Sequence, residues 1–106
     1  MEVLNLINGS HLPAEGGKWL DLIDPSKGKS YGRLARSSAV DVEKAVNSAS
    51  DAFEEWSSWS ADKRADCIDK LADKIKENAG MLAEAETRDN GKPIGLASTV
   101  DIPRAE

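Results

Sequence analysis

A chain of 106 residues with a formal net charge of −5 has room for one small domain with a thin core, burying roughly two-thirds of the surface its unfolded chain exposes. Its Lys and Arg residues are interspersed with Asp and Glu, so no basic cluster is dense enough to neutralise a row of phosphates, which argues against a nucleic-acid partner. One cysteine, Cys67, excludes an internal disulfide framework, and neither a leader-type pattern nor a membrane-length apolar run is read, so the expectation is a soluble, cytoplasmic protein.

The first third has strand and turn chemistry. The run Val3–Ile7 meets Asn8 and Gly9, a dipeptide favoured in tight hairpin turns because both residues tolerate positive φ. His11-Leu12-Pro13 follows, and Glu15-Gly16-Gly17 marks a second turn. Lys18–Pro25 alternates Trp19, Asp21 and Ile23 against Leu20 and Leu22, and ends at Pro25, which cannot donate to a strand ladder. Ser26–Lys29 is a turn and Ser30–Arg36 a further strand. Residues 1–36 therefore read as an antiparallel β-meander.

From Ser37 the period becomes helical, so residues 37–106 read as a helical segment. Ser38 suits an N-cap, with Asp41 at the third helical position, where its charge favours the positive helix end. Val42, Ala45, Val46, Ala49, Phe53 and Trp56 repeat at three and four as one apolar stripe. Ser57–Ser60 breaks that helix, and Ser60 can cap the next. Ala65, Ile68, Leu71, Ala72, Ile75 and Ala79 mark a second stripe, which Gly80 interrupts. Met81, Leu82 and Ala85 carry a further helical segment to Asn90-Gly91 and Pro93, which stop it. Short connections imply antiparallel neighbours. Ile94–Glu106 reads as another helix whose stripe lacks a partner, the pattern expected of a truncated chain.

Little of the sequence carries chemistry. Cys67 stands between Asp66 and Asp69, the opposite of the electropositive surroundings a reactive thiol uses, and reads as a packing residue. His11, the lone histidine, is far from it in sequence. The glycines match no phosphate-binding spacing and read as turns. Trp19, Trp56 and Trp59 lack the basic groove of a stacking platform and read as packing residues. One constellation stands out. Glu84, Glu86 and Asp89 crowd the end of a helix where free carbonyls also carry negative charge, so either the surface is simply solvated or something positive sits there.

Taken together, Leu6–Gly9 (LING), Ile23–Trp56, Ser60–Thr87 and Arg88–Gly95 (RDNGKPIG) resemble the N-terminal region of the NAD(P)-dependent aldehyde dehydrogenase superfamily. The fragments stand in the family's order, and the Asp101–Glu106 end is similar to members acting on muconic semialdehydes. The resemblance implies an α/β fold, of which this chain would supply N-terminal strands and helices. It implies oxidation of an aldehyde to a carboxylic acid through a cysteine thiolate, with hydride passing to NAD or NADP and a glutamate activating water. The nucleophile, general base and cofactor glycines of that family would all lie beyond Glu106, and Cys67 does not match the nucleophile's motif. This chain alone is therefore expected to be inactive and to bind neither cofactor nor aldehyde.

The resemblance also bears on the acidic helix end. Several members of the family hold a monovalent cation with the aspartate of their D-N-G-K-P motif and main-chain carbonyls of the strand before N/D-P. Those positions are Asp89 and, through their carbonyls, Leu22 and Ile23, so Na+ or K+ is an expected ligand. The competing expectation is a non-catalytic module that self-associates, as a homo-oligomer, through exposed apolar faces, or binds another partner. No membrane partner is expected.

Overall fold

The computed structural model describes residues 1–105. Five short strands precede the helices: β1 (Glu2–Val3), β2 (Asn5–Ile7), β3 (Ser10–Leu12), β4 (Trp19–Asp24) and β5 (Lys29–Ala35). Asn8 and Gly9 take φ values of 49° and 73°, the left-handed pair a tight hairpin needs. They join β2 to β3 in the register Ile7↔Ser10, Leu6↔His11 and Asn5↔Leu12. At the next turn the Gly17 N–H donates to the Ala14 carbonyl at 2.8 Å.

The strands do not form a simple meander. They lie in a three-stranded sheet of order β1-β5-β4 and a separate β2-β3 hairpin. The expected run Val3–Ile7 divides at Leu4, and its first part lies parallel to β5, with Glu2 opposite Arg33 and Val3 opposite Leu34. Gly32 permits this pairing, because a Cβ there would stand 2.6 Å from the Met1 carbonyl oxygen. The Arg33 N–H donates to that same oxygen at 2.9 Å, and the Arg33 side chain pairs with Glu2. A backbone approach this close admits no side chain, and strand-by-strand periodicity carries no sign of it.

The helices are α1 (Ala39–Ser58), α2 (Ala61–Glu77) and α3 (Ala79–Asn90), followed by α4 (Ile94–Leu96), a π-helical turn (Ala97–Asp101) and α5 (Ile102–Ala105). Ser60 caps α2, its hydroxyl accepting from the Lys63 N–H at 3.2 Å, while Lys74 and Lys76 occupy the last turn, where positive charge is favoured. The break between α2 and α3 falls at Asn78 and not at Gly80, which lies inside α3. The Asn78 amide donates from Nδ2 to the Lys74 carbonyl at 2.8 Å and so competes with the helix ladder. Gly80 has open space around it and no such grip on the backbone.

Cα packing divides the chain into two compact units: Met1–Ile23 with Ser30–Ser58, and Asp24–Lys29 with the chain from Trp59 onward. In the first unit α1 rests on β2. Its start is fixed by Asp41, which is buried: Oδ2 accepts from the Ser38 N–H at 2.7 Å and the Ser38 hydroxyl at 2.8 Å, and Oδ1 accepts from the Glu15 N–H at 2.9 Å. These bonds hold the carboxyl below the usual carboxylate range, the Ser38 N–H first among the causes. The apolar stripe of α1 is uncovered, with Val42, Val46 and Phe53 exposed at 58%, 57% and 64%. The buried apolar residues are instead small: Ala14 and Ala35 in the first unit, Ala83 and Ala97 in the second.

Candidate functional site

The end of α3, in the second unit, is the acidic corner. Gly91 closes the helix in the left-handed region at φ 77°, its N–H donating to the Thr87 carbonyl at 2.9 Å. Glycine suits the position twice over, since a Cβ there would also stand 3.0 Å from Pro25 Cγ. Asn90 then organises both sides of the stop. Its Oδ1 accepts from the Lys92 N–H at 2.8 Å, and its Nδ2 donates to Glu86 at 2.6 Å.

Two basic residues stand at this corner, Arg88 in the last turn of α3 and Lys92 just past the stop. The Lys92 ammonium donates to Asp101 in the π-helical turn at 2.6 Å and lies 3.6 Å from Glu86. The hydrogen bond to Asp101, chiefly, raises the Lys92 pKa. Glu86 therefore has a counter-charge supplied by the chain itself. The i, i+4 spacing of Glu86 and Asn90 is a readable signal of part of this network; the Asp101 partner, reached across the turn between helices, is not.

Opposite the end of α3 stands the turn after β4. Asp24 is buried, and its Oδ1 accepts from the Ser26 N–H at 2.9 Å and the Ser26 hydroxyl at 2.6 Å. Lys27 lies 3.4 Å from Oδ2. The Ser26 hydroxyl, above all, lowers the Asp24 pKa, so the group is an anion at neutral pH. Asp24, Ser26, Glu84, Thr87, Arg88 and Gly91 line a hollow of about 340 Å³ here. It is polar on the turn side, and the Oγ1 of Thr87 is an enclosed hydroxyl with no hydrogen-bond partner among the described residues.

Of the residues singled out in the sequence, Asp89 lies in the last turn of α3, in the second unit, with its side chain exposed. Leu22 and Ile23 lie on β4 in the first unit, Leu22 half-buried and Ile23 exposed. Among the described residues no group of three His, Cys, Asp or Glu side chains is placed to hold a metal ion. Cys67 is a free, half-buried thiol on α2. Trp19 and Trp59 are half-buried, with the Arg33 guanidinium 4.2 Å from the Trp19 ring centroid and the Lys63 ammonium 3.5 Å from that of Trp59. Each ring thus has a cation of its own unit over it. Among the described residues no helix is long and apolar enough to cross a membrane.

Short strands, capped helices and an acidic helix end make this chain an α/β fragment. Its relatives say of what. The aldehyde dehydrogenase family model matches residues 11–106, and the chain belongs to that family. It is 43% identical over 101 residues to 2-aminomuconic semialdehyde dehydrogenase of Bos taurus and, equally, 43% identical to long-chain-aldehyde dehydrogenase of an Acinetobacter species. Each alignment covers 95% of this chain and 20% of the relative, so the chain spans about a fifth of the length of the curated relatives it matches. Among solved structures it is similar to PnpE from Pseudomonas sp. WBC-3, with a TM-score of 0.93 and 36% identity over 98% of this chain and 21% of that one. PnpE has also been crystallised in complex with nicotinamide adenine dinucleotide. Equal identity to relatives named for a muconic semialdehyde and for long-chain aldehydes singles out neither substrate.

Proposed function

We propose that this chain is the N-terminal part of an NAD(P)+-dependent aldehyde dehydrogenase, in which the complete enzyme oxidises an aldehyde to a carboxylic acid. The observation that carries this reading is the family match over residues 11–106, joined to a fold shared with PnpE over 98% of the chain. The 106 residues by themselves are catalytically silent. Supporting this, the lone thiol is half-buried on α2, between Asp66 and Asp69, and not in the electropositive setting of a nucleophile. The purified chain, incubated with NAD+ or NADP+ and an aliphatic aldehyde, is expected to form no reduced cofactor; measurable formation would overturn the silence. At the DNA level, a reading frame running past codon 106 into a glycine-rich turn and a reactive cysteine is expected. A stop codon at that point would remove the complete enzyme from the reading.

The same reading includes a monovalent cation, Na+ or K+, with Asp89 as its carboxylate and main-chain oxygens of Leu22 and Ile23 as further ligands. Support comes from the motif and from the position of Asp89 in the final turn of α3, where carbonyl oxygens lack helical partners. Thermal denaturation in K+, in Na+ and in a bulky organic cation at equal ionic strength tests it. The melting temperature is expected to rise with K+ or Na+ in the native chain and to lose that dependence in Asp89→Ala. Identical melting in all three salts would end the cation reading.

A second reading is favoured by one observation, the uncovered α1 face of Val42, Val46 and Phe53. On that reading the chain self-associates as a homo-oligomer in the cytoplasm, burying apolar surface worth about 25 cal/mol per Å² removed from water. Light scattering is expected to give a dimer or larger species that Phe53→Glu returns to monomer. A monodisperse monomer across the accessible concentration range would rule this out.

A further inference from the structure

We draw no further inference here: the strongest candidate, the hollow of about 340 Å³ between the β4–β5 turn and the C-terminal end of α3, belongs to the acidic corner already described.

Discussion

Replacing Asp41 with alanine is expected to loosen the first unit more than any other single polar substitution. The carboxylate accepts three hydrogen bonds, two from backbone N–H groups, and one of those belongs to Glu15, 26 residues away. Alanine would leave the Ser38 and Glu15 N–H groups without that acceptor, and water reaches them poorly because residue 41 is only 5% exposed. The helix start would fray and the turn at Glu15-Gly16-Gly17 would detach from it. The expected result is a melting temperature lower by several degrees, with amide exchange accelerated at Glu15, Ser38 and the first turn of α1. Unchanged protection at Glu15 would show that the turn is held by other contacts, such as the Lys44–Glu15 ion pair.

The pH dependence has a definite sign. Asp41 and Asp24 both have folded-state pKa values below the ordinary 3.8. The unfolded chain therefore binds protons first as pH falls, and the stability these groups contribute is fully present above 3.8 and lost as pH drops through their lowered values. In the native chain, urea midpoints are expected to be insensitive to these two groups at neutral pH and to fall below 3.8. Asp41→Asn is expected to start lower at neutral pH and to lose part of the acid slope, since it has no proton to bind. An acid slope identical to that of the native chain would show that Asp41 does not contribute to it.

The second large effect is expected at Gly32. A Cβ added there would stand 2.6 Å from the Met1 carbonyl oxygen and 3.1 Å from Met1 Cβ. The nearer contact is with backbone and cannot be relieved by a side-chain rotation. Gly32→Val is therefore expected to push β1 off β5, break the bond from the Arg33 N–H to Met1 and cost about 1–3 kcal/mol, the usual penalty for overpacking. Rapid exchange at the Arg33 amide would report the loss directly. Gly80→Ala is the matched control, because nothing lies within 4 Å of that position and alanine is the better helix former. It is expected to be neutral or stabilising by up to about 1 kcal/mol. A Gly32→Val chain that keeps the Arg33 amide protected would show that the β1–β5 pair adjusts without separating.

Most of what depends on neighbours in sequence is legible in the residues themselves. Asn8-Gly9 announces a hairpin, Ser60 a helix start, and Asn90-Gly91 a helix stop, each because a few residues' φ preferences and side-chain acceptors suffice for the local geometry. The break at Asn78 falls two residues before the place that the sequence suggests. Glycine is the more conspicuous breaker, yet a side-chain amide bonded to the preceding turn ends the helix. The acidic helix end is visible in the sequence as an oddity. The Lys92–Asp101 pair beside it needs the chain to fold back, since the two residues stand nine positions apart across a turn.

Family membership is likewise readable from residue order alone, because five fragments in register are far more specific together than any one of them. Tertiary structure decided the rest. It paired β1 in parallel with β5 rather than with its neighbour in sequence, tied Asp41 to Glu15, and chose alanines rather than the larger apolar residues for burial. The stripe of α1 shows only that the helix has an apolar face. Whether that face is covered depends on what packs against it, and periodicity along one helix contains no information about a neighbour. Local torsional preference and capping are written in adjacent residues; strand partners, counter-charges and burial arise from contacts distant in sequence, and only the folded chain brings those together.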